Sequence, residues 1–282
     1  MKKQKYLIGL LATVLVLTGC SSSSDDSAAG SSSCEVGKLS TVTDGVLTIA
    51  TGEPAYYPWV IDDKPESGNG FEAAVAYAVA KQLGYEGESV KWIRTTFDGA
   101  IAPGPKNFDF NLQQYDITEE RSAVVDFSSS YYKSNAAIVT FKGSKIAAVK
   151  SIADVIAAKP KLGAAVSTTS LDVIEGTLGL KAQVYNDNAA GVSALKNKQI
   201  DGLVVDLPTA FYLSAVEVPN GLIAGQIAGS DQASSGFGLL LAKDNPITSC
   251  VSAAVDALRN DGTLDAITKQ WLSADAGAPV LE

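Results

Sequence analysis

A chain of 282 residues with 46% hydrophobic and 19% charged content can bury one large core or two moderate ones, and disorder along its whole length is excluded. Setting aside Lys2, Lys3 and Lys5, 19 basic residues face 31 acidic ones, a poor platform for nucleic acid. Histidine is absent, which removes Ser-His-Asp and Cys-His catalysis, every histidine-based metal site and most hydrolase functions.

Lys2, Lys3 and Lys5 precede an uncharged apolar run from Tyr6 to Leu17. At about 12 residues it is too short for a bilayer that needs roughly 20, so it reads as a secretory signal. The run ends in Leu17-Thr18-Gly19-Cys20, which resembles the bacterial lipobox. On that reading 1–19 is a signal peptide and Cys20 carries a lipid, palmitate included. Ser21 to Ser33 is almost entirely Ser, Asp, Ala and Gly, a flexible tether of about 20 Å r.m.s. reach. Cys34 and Cys250 remain as an even pair in an exported chain, which suits a disulfide; two free thiols are the other reading.

From Val46 onward, β-branched runs alternate with helical patterns. Val46–Ala50, Val90–Ile93 and Phe108–Leu112 read as strands. Between the first two, Phe71, Val75, Val79 and Leu83 recur at steps of four and mark one face of a helix over 71–83, ended by Gly84. Further on, Ala136–Phe141, Lys161–Val166, Gln183–Tyr185 and Gly202–Val205 read as strands, interleaved with helices near 151–158, 170–177, 188–197 and 208–216. A polar, turn-rich stretch, 229–236, precedes a strand over Phe237–Ala242 and helices over Ile247–Leu258 and Leu264–Leu272. This alternation predicts an α/β fold with mostly parallel sheets, and the length predicts two lobes.

Ligands of open parallel sheets sit beyond the carboxyl ends of the strands. There the sequence places Glu53, Tyr56, Tyr57 and Trp59, then Thr95, Thr96 and Phe97, then Gln113, Gln114, Asp116 and Arg121, and later Ser167, Thr168, Thr169 and Asp206. Arg121 falls in the first turn of a helix opening at Thr118, where a cation opposes the helix dipole. Its guanidinium either grips a carboxylate through two parallel hydrogen bonds or pairs with a neighbour on the surface. Asp116 either bonds nearby turn amides or meets an ammonium. Ser167, Thr168 and Thr169 form a helix start that caps itself or receives a carboxylate, and Asp206 before Leu207-Pro208 is either a cap or an amine site. Tyr56, Trp59 and Phe97 either pack in loops or stack on a ligand.

The segments Gly70-Phe71-Glu72, Phe97-Asp98-Gly99, Phe108-Asp109-Phe110, Ile117-Thr118-Glu119-Glu120-Arg121, Val125-Asp126-Phe127-Ser128 and Tyr131-Tyr132 resemble the extracellular solute-binding proteins of polar amino acid ABC importers (family 3), as does Gly262-Thr263-Leu264 with Trp271-Leu272. The resemblance runs from about Val46 to Leu272. It implies a type II periplasmic-binding-protein fold with two crossing hinge strands, near Ala136–Thr140 and Ile227–Gly236. Lobe 1 is then 34–135 plus 231–282, and lobe 2 is 136–230.

The same resemblance implies that Arg121 binds a ligand α-carboxylate with help from Thr168 and Thr169, and that Asp206 receives the α-ammonium. Glu53 would meet the ligand side chain, Tyr56 and Phe97 would be aromatic walls, and Glu72 would be mainly structural. Asp116 stands where the family usually shows Ser or Thr, Gln114 where it is usually small, and Ser167 where Gly is typical. Glu53, Asp116 and Asp206 around Arg121 leave the site net negative, which favours a neutral polar or cationic amino acid.

The function that follows is extracytoplasmic binding of an amino acid by a lipid-anchored monomer and its delivery to an ABC permease through ligand-induced closure. No enzyme activity and no cofactor or metal is expected. The chain has no Gly-rich Lys-Ser/Thr loop to cradle a nucleotide phosphate. The alternatives are a sensory module that presents its ligand to a receptor, or a dehydratase using Glu53 or Asp116 as general acid.

Overall fold

The computed structural model describes residues 34–230, 232, 234–272 and 277–282. The expected signal peptide, Cys20 and the tether to Ser33 lie outside the described residues. In chain order the strands are β1 (Leu47–Gly52), β2 (Val90–Thr95), β3 (Phe110–Asn111), β4 (Val125–Phe127), β5 (Ala136–Phe141), β6 (Leu162–Ala165), β7 (Gln183–Tyr185), β8 (Gly202–Asp206), β9 (Gly221–Ile227), β10 (Leu240–Ala242) and β11 (Val280–Leu281). They build two sheets, ordered β2-β1-β3-β10-β4 and β11-β9-β5-β8-β6-β7.

The sheets are mixed, where the sequence predicts mostly parallel ones. In the first, β10 runs antiparallel to both β3 and β4; in the second, β5 runs antiparallel to both β8 and β9. The two antiparallel strands are the ones at which the chain enters a sheet from the other sheet, β5 after β4 and β10 after β9, so neither is placed by the helical crossover that makes sequential strands parallel.

The helix α1 (Phe71–Gln82) forms as its spacing predicts: Phe71, Val75 and Val79 are fully buried against β1 and the C-terminal helices, and Gly84 follows at φ 86. Gly70 precedes it at φ 108, where a Cβ would stand 2.5 Å from the Trp59 carbonyl oxygen, so only glycine lets the loop after β1 lie against the helix start. Thr96 alone separates β2 from α2 (Phe97–Ile101) and caps that helix by accepting from the Gly99 amide, and Arg121 lies in the single turn α3 (Glu119–Ser122).

The second half adds α4 (Ile152–Ala158), α5 (Thr169–Asp172), α6 (Asn188–Lys196) and α7 (Leu207–Tyr212). The helices expected over 170–177 and 208–216 are each divided, since α5 and α7 pass into π turns at Val173–Thr177 and Leu213–Glu217. α8 (Thr248–Asn260) and α9 (Thr263–Trp271) return to pack on α1. Cys250 on α8 is bonded to Cys34. Apolar clusters lie on both faces of each sheet, which makes each half a helix-covered α/β layer structure.

Three further differences from the sequence reading concern the bounds and pairing of strands. The strand read as Phe108–Leu112 narrows to two residues, because Asp109 turns its carboxylate to the amides of Val42 (2.7 Å) and Thr48 (2.6 Å). The second crossing, read as a strand over 227–236, leaves β9 at Ile227 and proceeds through turns. Among the described residues it regains pairing where Ser235 and Gly236 bond Ile117 and where Phe237 bridges to Asp116 and Tyr132. Finally, β11 pairs with β9 in the second sheet, although the sequence reading puts all of 231–282 with the first. Leu281, fully buried, fills the space left over Gly225, where a Cβ would meet its side chain at 2.6 Å.

Candidate functional site

A cavity of about 410 Å³ lies where the carboxyl ends of strands from both sheets face one another. The first half contributes Glu53 and Tyr56 after β1, Phe97 at the start of α2, Gln113, Gln114 and Asp116 after β3, and Arg121; the second contributes Thr168, Thr169 and Asp206. Ser167 is brought near but does not line it. It holds φ 61 with its side chain exposed, and it takes part through its carbonyl alone.

Arg121 is 7% exposed. Its Nη1 donates to the Asp116 carbonyl at 2.9 Å and its Nη2 to the Ser167 carbonyl at 2.8 Å, so the guanidinium touches both halves of the cleft. The Phe97 ring lies 5.4 Å away and offers its face to the cation. Burial works against the charge and lowers the guanidinium's pKa, while the neighbouring Asp116 opposes that shift. The position is the one the sequence singles out, and the surface reading of Arg121 does not hold.

Asp116 is committed within the protein: its Oδ2 accepts from the Thr169 hydroxyl at 2.6 Å and its Oδ1 from the Ser234 hydroxyl at 2.6 Å. Asp206 ends β8 and caps α7, its Oδ1 accepting from the Thr209 amide at 2.8 Å and its Oδ2 from the Thr209 hydroxyl at 2.8 Å. Desolvation pushes the Asp206 carboxyl up to about 6, against the bonds from Thr209 that favour its charge. Thr168 donates its hydroxyl to the Ala165 carbonyl at 2.7 Å, which closes the turn before α5.

Gln114, at φ 51, turns inward and donates from its backbone N (2.8 Å) and its Nε2 (2.6 Å) to Glu72. Glu72 also accepts from the Tyr131 hydroxyl and is 1% exposed, yet it reaches the cavity wall, which the sequence reading does not foresee for this residue. Burial pushes its carboxyl up to about 7. Gln113 Oε1 accepts from Tyr115 Oη at 3.0 Å. Tyr56 Oη is buried and meets no protein partner, and burial with nearby acids pushes it up to about 12.

Asn186, Asp187 and Asn188 also line the cavity, from the turn after β7 and the first residue of α6, together with Asn135 and Ser230 from the crossings. The loop residues were within reach of the strand-end rule, since Asn186 directly follows the expected strand Gln183–Tyr185. Asn135 and Ser230 carry no such signal. Among the described residues lining the cavity, Arg121 is the one cation, against Glu53, Glu72, Asp98, Asp116, Asp187 and Asp206.

The profile of bacterial extracellular solute-binding proteins, family 3, matches residues 47–274. The L-cystine-binding protein TcyJ of Escherichia coli K12 is 29% identical over 226 residues, 79% of this chain and 81% of its own. The L-cystine-binding protein TcyA of Bacillus subtilis 168 is 27% identical over 278 residues, 98% of this chain and 99% of its own. A solved ancestral arginine-binding protein bound to glutamine superposes with a TM-score of 0.65 at 27% identity, over 82% of this chain and 99% of that one. The two sheets and the cleft between them are the two-lobed, type II periplasmic-binding-protein arrangement. The profile match covers both walls of the cavity and most of the folded residues, and this chain therefore belongs to the bacterial extracellular solute-binding proteins of family 3.

Proposed function

We propose that this protein binds a free amino acid in the cleft and delivers it to the permease of an ABC importer by closing its two lobes on the ligand. The observation that carries the reading is the placement of Arg121 and Asp206 on opposite walls of one cavity, a cation for an α-carboxylate and an acid for an α-ammonium. Thr168 and Thr169 lie beside Arg121 at the start of α5 and shape the wall there, their hydroxyl protons being given to the Ala165 carbonyl and to Asp116. Tyr56 Oη, buried without a protein partner, is a third polar contact available to the ligand.

The ligand favoured is neutral polar or cationic. Six acids against one arginine oppose a second carboxylate in the ligand, whose burial among them would have to be offset by protonation. The relatives named above are binding proteins for cystine and arginine, and these with glutamine are the first ligands to try. The lipobox at Leu17–Cys20 supports a lipid anchor through Cys20, and the family is extracellular. A ligand touching both lobes stabilises the closed form alone, so closure is a population shift that the permease can read.

Thermal unfolding of ligand-stripped chain with the common amino acids tests this. At a ligand concentration of about 100 Kd, binding to the native state adds about 2.7 kcal/mol, a rise of roughly 5–10 °C in Tm for a chain of this size. The rise is expected with one or a few amino acids and lost in Arg121→Ala. A rise only with amines lacking a carboxylate would overturn the role of Arg121.

A further inference from the structure

Trp59, Thr209 and Asp206 form a hydrogen-bond relay across the cleft. Trp59 Nε1–H donates to Thr209 Oγ1 at 2.8 Å, and the Thr209 hydroxyl donates onward to Asp206 Oδ2 at 2.8 Å. A hydroxyl has one proton to give, so accepting from the indole leaves that proton for the carboxylate. Trp59 is 1% exposed and Thr209 2%, so water serves neither in this arrangement.

The donor and the acceptors belong to different halves. The Trp59 ring is held edge-on by Phe71, Tyr132 and Phe237, with centroids 5.7, 6.1 and 5.9 Å away, in the core around α1 and β10. Thr209 and Asp206 belong to β8 and α7 of the second sheet. A phenylalanine at position 59 would fill the same apolar site and bring no donor. The indole N–H is thus the part of Trp59 that packing does not explain, and its partner is the residue that fixes both oxygens of Asp206.

We propose that Trp59 is a positioning residue for Asp206: through the Thr209 hydroxyl it holds the carboxylate in place for the ligand ammonium, and it does so only when the two lobes are shut. The inference rests on the amino-acid reading of the cleft. Opening the lobes parts Trp59 from Thr209, so this bond contributes to the closed state alone and adds to the affinity that closure confers. A chain of hydrogen bonds ending on a carboxylate is stronger than its neutral members would be singly. The titratable groups that face Asp206 from the neighbouring elements are Glu72 of α1, Asp116 beyond β3 and Tyr131 beyond β4. All three disfavour its ionisation or are neutral, and the relay opposes them.

The test is calorimetric titration of the full chain with L-arginine, L-glutamine and L-cystine from pH 5 to 8, for wild type, Trp59→Phe, Thr209→Ser, Thr209→Val and the double variant Trp59→Phe with Thr209→Val. Trp59→Phe is expected to weaken the bound probe about five- to tenfold, the loss of one hydrogen bond to a charged network. The pH below which affinity falls should move upward in Trp59→Phe, a change that lost packing does not produce. Thr209→Ser keeps the hydroxyl and should stay within about twofold of wild type. The double variant should be no weaker than Thr209→Val, because the two residues act on one carboxylate through one bond. Unchanged affinity and pH profile in Trp59→Phe, or additive losses in the double variant, would overturn the relay while leaving the amino-acid reading intact. Failure of wild type to bind these three or any other common amino acid would overturn both, since Asp206 then has no ammonium to receive.

Discussion

Thr169 donates its hydroxyl to Asp116 Oδ2 at 2.6 Å, joining the start of α5 in one lobe to the loop beyond β3 in the other. The Ser234 hydroxyl fills the remaining oxygen, also at 2.6 Å, from the second crossing between the sheets. An acid at a site lined by acids is thereby held by protein hydroxyls, and its charge is balanced in part by Arg121, whose Nη1 bonds the carbonyl of the same residue at 2.9 Å. Asp116 acts as a latch between lobes, in the place where the sequence suggested a contact for an amine.

Removing the latch should favour the open form. Hydrogen bonds to charged groups contribute about 1.5–3 kcal/mol, so Thr169→Val is expected to lower the closed-to-open ratio of the ligand-free protein by roughly tenfold or more. Small-angle scattering would read this as a larger radius of gyration, and titration as weaker ligand binding. A radius equal to that of wild type, with affinity unchanged, would remove the latch from the account.

The pH dependence of stability follows from Glu72. Its carboxyl titrates near 4.5 when unfolded and about 7 when folded, so between those values the folded state holds a proton that the unfolded chain has lost. Stability therefore falls as pH rises through about 4.5 to 7, and Asp206, raised from 3.8 to about 6, contributes in the same direction over its own lower window. At about 1.36 kcal/mol per unit, the Glu72 share is on the order of 3 kcal/mol. Urea unfolding of Glu72→Gln from pH 4 to 8 should show a flatter profile than wild type; an identical slope would assign the dependence to other groups.

The bond between Cys34 and Cys250 ties the first described residue to α8 across 216 positions of sequence. Closing so long a loop restricts the unfolded chain, and its removal typically costs 2–4 kcal/mol. Replacing both cysteines by serine should lower the urea midpoint accordingly, and treating wild type with a reductant should reproduce the shift. Equal midpoints for the reduced and oxidised protein would show that the bond adds nothing to stability.

How far the sequence reaches depends on whether a signal is local. The four-residue spacing of Phe71, Val75 and Val79 marks α1 because each of these side chains must leave water on the same face. The order of strand ends marks Arg121, Thr168, Thr169 and Asp206 because parallel strands present their following loops on one side. These residues and the α/β class were legible in the chain itself, and the pairing of Cys34 with Cys250 was one of the two readings that it allowed. The direction of β5 and β10, the departure of β11 to the second sheet and the partners of Asp116 and Trp59 were not. They depend on residues far apart in sequence meeting in space: Leu281 over Gly225, Thr169 against Asp116, Thr209 against Trp59. Residue types and their spacing determined which groups could serve a ligand; only tertiary packing decided which of them were free to do so, because a buried polar group takes whatever partner the fold brings within about 3 Å.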